Sequence, residues 1–220
     1  ANARKRMPSV SQKQFALFQT RRLLPLFVAQ FLGAFNDNIF KNAMVVLIAW
    51  KLAGAAGMDA QIMITVAAGI FILPFFLFSA TAGLLADKYD KSKLIRHVKL
   101  AEIFVMSLGA IGFYSGNVYV LMTVLFLMGV QSTFFGPIKY GILPDQLHSD
   151  ELMGGNALVS AGTFLAILAG TILGTEVVLT DHGVTVISAV VITVAALGWF
   201  ASQFIPATRP AQPDLQVNFN

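Results

Sequence analysis

Apolar stretches of about 20 residues, separated by short polar clusters, run from Leu23 to Ile205. A helix rising about 1.5 Å per residue needs about 20 residues to cross about 30 Å of hydrocarbon. The pattern therefore predicts six transmembrane helices, at roughly 23–52, 60–86, 94–115, 118–136, 152–179 and 184–205. The connections are Gly54–Asp59, a charged stretch at 87–93, Gly116–Asn117, a longer stretch at 137–151, and Thr180–Gly183. Most are short, so successive helices should be antiparallel neighbours. A membrane β-barrel would instead alternate apolar and polar residues in stretches of about 10. The expected fold is all-α and membrane-embedded.

Composition agrees with lipid as the solvent. The chain is 56% hydrophobic and 12% charged, with a mean hydropathy of +0.73, whereas a soluble domain is about 25% charged. The net charge of +4 and pI near 9.5 do not call for nucleic acid, because the basic residues divide by loop. Of the 15 Lys and Arg residues, all but Lys41 and Lys51 fall in the N-terminal stretch, the second or fourth loop with its flank, or the C-terminal tail. By the positive-inside rule both termini face the cytoplasm. Residues 1–22 read as a basic, mobile cytoplasmic tail, 23–205 as the six-helix unit, and 206–220, with Pro206, Pro210 and Pro213, as a linker.

No signal peptide is expected: Arg4, Lys5 and Arg6 imitate its basic start, but the next apolar run begins only near Leu23 and is too long. A sequence that opens on Ala1, with Met7 downstream, and ends in that proline-bearing tail reads as a piece of a longer chain. The absence of cysteine excludes disulfides and thiolate-held metal. His97, His148 and His182 are scattered, so no metal or other cofactor is expected.

The first segment carries the most chemistry. Asp37 stands about 14 residues from either end of it, near the bilayer midplane, where a charge costs about 2.5–3.5 kcal/mol on insertion scales. Such a group should face protein or a water-filled cavity. At about 100° per residue, Gln30, Asp37 and Lys41 fall within about 40° of one another, forming a polar stripe. Two readings of it stay open. Asp37 and Lys41 are spaced i, i+4 in the favoured acid-first order, which suits a structural ion pair. The neighbouring amides Asn36, Asn38 and Asn42 add more polarity than a pair requires, which suits a cavity-lining site that includes Asn38.

Three further motifs stand out. Gly83-Leu-Leu-Ala-Asp87-Lys88-Tyr-Asp90-Lys91-Ser92-Lys93 joins segments two and three. Here Gly83 would permit close helix approach, Asp87 would bond backbone amides or a basic partner, and Lys88 and Lys91 would hold the loop at the membrane surface. Gly136-Pro137-Ile-Lys139-Tyr-Gly141-Ile-Leu-Pro144 has too many helix breakers for a long helix, so Lys139 is expected on a shaped loop. That lysine either meets an anionic phosphate headgroup or anchors the loop. Gly162, Ala166, Gly170 and Gly174 recur every fourth residue, a small-residue stripe suited to close helix packing. Glu102 and Glu176 read as interfacial or paired carboxylates. Nothing resembles a nucleophile–base pair, and the chain itself is not expected to be an enzyme.

Asp87–Lys93 resembles the loop signature of the major facilitator superfamily, departing from it at Asp90, where that pattern has glycine, and at Ser92, where it has a base. Gln30-Phe-Leu-Gly-Ala-Phe-Asn-Asp-Asn38 and Lys139-Tyr-Gly-Ile-Leu143 resemble the bacterial lysophospholipid transporter family, some members of which are fused to a 2-acylglycerophosphoethanolamine acyltransferase. The resemblance covers nearly all of residues 15–206. It implies one six-helix half of a twelve-helix transporter, built from 3+3 inverted repeats, in the bacterial inner membrane. It further implies that Asp37 and Lys139 serve substrate passage, that lysophospholipid moves from outer to inner leaflet, and that a missing C-terminal half closes the cavity. The stripe of segment five would then lie at the seam between halves. A membrane domain serving a fused acyltransferase, and a self-contained six-helix scaffold or pore, remain the alternatives.

Overall fold

The computed structural model describes residues 17–55, 57 and 59–214. Arg4, Lys5, Arg6 and Lys13 lie outside the described residues, as do residues 215–220. Six long helices make up the fold. The first, α1, spans Leu24–Leu47 and runs on through a widened turn at Ile48–Leu52 and a last turn at Ala53–Ala55. The others are α2 (Ala60–Lys88), α3 (Lys91–Ser115), α4 (Val118–Gln146), α5 (Leu152–Val177) and α6 (Gly183–Ser202).

The ends of these helices follow from local chemistry. Asp59, Asp90 and Asn117 each take a backbone N–H of the first turn of α2, α3 and α4 onto a side-chain oxygen, satisfying donors that a helix start leaves orphaned. Gly116 ends α3 at φ 62°, a left-handed conformation that glycine enters without a Cβ penalty. Packing joins α1 to α5 and α6, α2 to α4, and α3 to both α4 and α6. Gly129 lets α2 and α4 meet closely, since any side chain there would strike the Phe71 carbonyl.

Buried apolar side chains form two clusters at different heights. One, at the end holding both described termini, contains Leu17, Leu23, Leu26, Ile95, Ile138, Ile142 and Ile205. The other, at the far end, contains Ile39, Phe40, Met44, Met106, Leu121 and Met128. Between them, α1, α3 and α4 each lose their apolar character over the same layer. Four helices (α2, α4, α5 and α6) are long and apolar enough to cross a membrane by composition. Large apolar side chains such as Phe76, Phe104 and Phe164 are exposed, at 81%, 70% and 72%. That is affordable only where the surrounding medium is itself apolar.

Several expectations change. The helix breakers at 136–144 do not end α4, which continues to Gln146 with Pro137 and Pro144 inside it; Lys139 is helical, and the connection shrinks to residues 147–151. A proline removes one ladder bond. In lipid, unwinding would orphan many more backbone groups, so the helix persists. Lys91 is not a loop residue but the first residue of α3, 4% exposed, with Nζ 3.0 Å from Asp145. The end of the basic tail is docked: Leu17 and Leu23 are buried, and Arg22 bonds both Glu151 oxygens at 2.7 and 3.0 Å.

Past α6 the chain turns back as a strap across the end of the bundle. Arg96 donates to the Ile205 carbonyl at 3.0 Å and Gln146 to the Pro206 carbonyl at 3.2 Å. The Thr208 N–H and hydroxyl both donate to Asp90, at 3.1 and 2.9 Å, and the Gln212 N–H donates to the Asp87 carbonyl. Burial pushes the Asp90 carboxyl up, but the bonds from Ser92 and Thr208 outweigh it and hold the group below the usual carboxylate range. The departure from the superfamily loop pattern at this position thus has a local structural use.

Candidate functional site

The polar layer encloses a cavity of about 150 Å³. From α1 it is lined by Gln30, Gly33, Ala34 and Asp37, from α3 by Lys99 and Glu102, and from α4 by Gln131, Ser132, Phe135, Gly136 and Lys139. α1 supplies residues 30, 33, 34 and 37, one helical face at spacings of three and four. α4 supplies 131, 132, 135, 136 and 139 in the same manner. The site is therefore built on rigid helices rather than loops.

Glu102 is the most enclosed charge, 1% exposed. Its Oε2 accepts from Lys99 Nζ at 2.7 Å and Gln131 Nε2 at 3.0 Å, and its Oε1 from Asn36 Nδ2 at 3.0 Å. A buried ion pair is tolerable when hydrogen bonds satisfy its remaining lone pairs, and here Asn36 and Gln131 do so. Lys99 also stands 5.3 Å over the Phe135 ring. Any side chain at Gly33 would strike its ammonium, so that glycine makes room for the charge. The amide oxygens of Asn36 and Gln131 are buried without a protein hydrogen bond among the described residues.

Asp37 accepts a 3.2 Å hydrogen bond from Ser132 Oγ. The expected i, i+4 pair with Lys41 does not form. Lys41 Nζ instead lies 4.5 Å over the Phe71 ring, in a second space outside the polar cavity. The α2 aromatic competes for the ammonium, and Ser132 takes the carboxylate. Asn38 also lies outside the cavity: it donates to the Ala34 carbonyl, and its Cβ touches the α5 seam at Gly170. Gln30 lines the cavity and donates to Thr163 at 3.0 Å. Lys139 lines it too, with Nζ 4.5 Å over the Tyr140 ring.

The remaining motifs lie elsewhere. A side chain at Gly83 would meet open space, so the close approach expected there is not made among the described residues. Asp87 is exposed and engages the strap through its backbone carbonyl, while Lys88 lies 5.6 Å over the Tyr89 ring. The small-residue stripe packs within this chain rather than at a seam between halves. Ala166 is fully buried, Gly162 lies against the Phe27 ring, and Gly170 and Gly174 lie against the Phe35 and Ile39 carbonyls of α1.

Sequence reasoning missed Lys99, Gln131 and Ser132 as cavity residues and Asn36 as a partner of Glu102, and took Glu102 only as a paired or interfacial carboxylate. The signals were present: Lys99 and Glu102 stand three apart, and Gln131-Ser132-Thr133 interrupts an apolar run from Val118.

Comparison with known proteins fits this architecture. The chain is 30% identical over 197 residues to the lysophospholipid transporter LplT of Serratia proteamaculans, covering 88% of this chain and 45% of that protein. It is 33% identical over 203 residues to the LplT protein of Pectobacterium carotovorum, at 88% and 45% coverage. Against that of Salmonella heidelberg it is 33% identical over 200 residues, at 88% and 46%. The chain spans about half the length of the curated relatives it matches. The sequence profile of the Major Facilitator Superfamily matches residues 26–217, nearly the whole described structure, and the chain belongs to that superfamily.

Proposed function

We propose that this chain is the N-terminal half of a transporter that moves lysophospholipids across the inner membrane of a bacterium. Both termini would be cytoplasmic, and this six-helix half, built of two inverted three-helix repeats, would rock against a second half to give alternating access. The observation that carries the reading is the layer of charged and amide side chains, enclosed between two apolar clusters at mid-height of the bundle. Keeping charges at that depth is costly, and a purely structural core would do better with apolar side chains. The lysophospholipid transporters that the chain resembles supply the substrate class.

In this reading Asp37 and Gln30 contact the polar headgroup, and Lys139, at the end of the cavity nearer the described termini, meets the phosphate when the headgroup reaches that end. Lys99 and Glu102 hold the wall in shape. The α2–α3 turn, with Asp87, Lys88 and Lys91, acts as the gating element at the cytoplasmic face. Asp37→Asn in the full-length gene product, reconstituted in proteoliposomes, is expected to abolish lysophospholipid uptake while expression and melting temperature stay unchanged. Undiminished uptake by that variant rejects the proposal.

A further inference from the structure

Two helices carry matched stripes past the polar layer. On α1, Gln30, Asp37 and Met44 are spaced seven apart, so they stay within about 20° of one face per step. On α4, Lys139, Ser132 and Leu125 follow the same spacing in the opposite direction. Asp37 and Ser132 touch, and Met44 and Leu125 line a common space. The polar cavity is thus followed, one to two turns along the same helices, by a groove of about 240 Å³. Apart from one lysine, the residues lining that groove are apolar.

That groove lies between α1 and α2, with Met44, Val45, Ala68, Phe71 and Leu125 in its walls and Lys41 at the end nearest Asp37. The ion pairs among the described residues are Arg22–Glu151, Lys91–Asp145 and Lys99–Glu102, and Lys41 belongs to none of them. A cation at the head of an apolar channel, one helical turn from a polar chamber, matches an amphiphile with a single chain and an anionic group at its neck.

We propose that the α1–α2 groove holds the acyl chain of the substrate and that Lys41 binds the phosphate at the neck of that chain. This rests on the lysophospholipid reading above and assigns that substrate an orientation: headgroup in the Asp37–Lys139 cavity, chain running away from the described termini. The groove admits the chain rather than attracting it, because hydrocarbon is as apolar as the residues that line it. Discrimination then falls to the charge. An ammonium–phosphate hydrogen bond in an enclosed place is a strong one. Lys41 and Lys139 lie on either side of Asp37 along the lane, so an anionic group has a cation to meet at both ends.

The test uses the full-length gene product in proteoliposomes and palmitoyl lysophosphatidylethanolamine bearing a diazirine midway along its chain. Photolabelling is expected on Met44–Val45 and on the α2 stretch from Ile64 to Ile72. Labelling confined to other helices overturns the groove. Ala68 is exposed, so Ala68→Trp should fill the channel without disturbing the core. Uptake should fall about tenfold, because the indole takes the space the acyl chain would occupy, and unchanged uptake counts against the assignment. Lys41→Met is expected to weaken apparent affinity for this probe about tenfold while leaving competition by neutral monoacylglycerol unaltered. Equal affinity in Lys41→Met and the unaltered protein removes the phosphate role. Should the unaltered protein carry no lysophospholipid at all, the transport reading fails before the groove is tested; should it do so with labelling elsewhere, the groove alone fails.

Discussion

The two sides of α1 solve opposite problems. Towards α5, Gly170 and Gly174 bring backbone against backbone at Phe35 and Ile39, where a Cβ on either glycine would stand 2.5 Å from a carbonyl oxygen. Towards α3 and α4, the same helix presents Asn36, bonded to buried Glu102, and Asp37, facing a cavity. One side is held by fit and the other by paired charge. A helix that must hold a charge steady in mid-membrane is itself steadied from behind, and the small-residue seam is what frees the opposite side for polar chemistry.

Breaking the charged side should cost most. Lys99→Met strands Glu102 in a buried site, and loss of one partner of such a pair costs about 3–5 kcal/mol, seen as a lowered melting temperature in detergent. The double variant Lys99→Met with Glu102→Gln should recover most of that loss; if it does not, the pair is held by packing rather than charge. The seam should cost less. Gly174→Val overpacks against the Ile39 carbonyl, for about 1–3 kcal/mol. The same substitution at Gly83, where there is open space, should stay within about 0.5 kcal/mol. Equal losses at the two glycines would erase the distinction between a seam and an ordinary helix surface.

The smallest effect lies outside both sides, at Arg22–Glu151. The hydrogen-bonded guanidinium holds the Glu151 carboxyl below its ordinary range, while the same contact raises the Arg22 group. The pair therefore contributes fully above Glu151's unfolded pKa and fades as pH falls through its lowered folded value; the arginine adds no limit in the accessible range. Both side chains keep solvent contact, 37% and 23% exposed, so the contribution is about 0.2–1 kcal/mol. Thermal unfolding followed from about pH 7 to about pH 3, with Arg22→Gln as the reference, should show the difference closing only at the acid end.

What could be read in advance depended on how far each signal extends along the chain. A membrane span sums over about 20 residues, so an error of a few residues at either end leaves the six spans in place. The placement of Asp37 was legible for the same reason. Lys99 was not: the third span was begun at 94 instead of 91, which left that lysine near the inferred surface, in a cluster of bases. Lys139 is helical rather than in a loop because proline and glycine break helices in water, where unwound backbone finds new partners, and not in lipid, where it finds none. Lys41 was paired by spacing along its own helix, whereas Phe71, which settles its position, comes from another. Spacing within one helix names the candidates; their partners across helices decide among them.

The strap beyond α6 changes where a mechanical load enters the six-helix unit. Its bonds to Asp90 and Asp87 mean that tension applied past Gln212 reaches the α2–α3 turn first and α6 only afterwards. The α2–α3 turn is thereby tethered to the very segment that pulls on it.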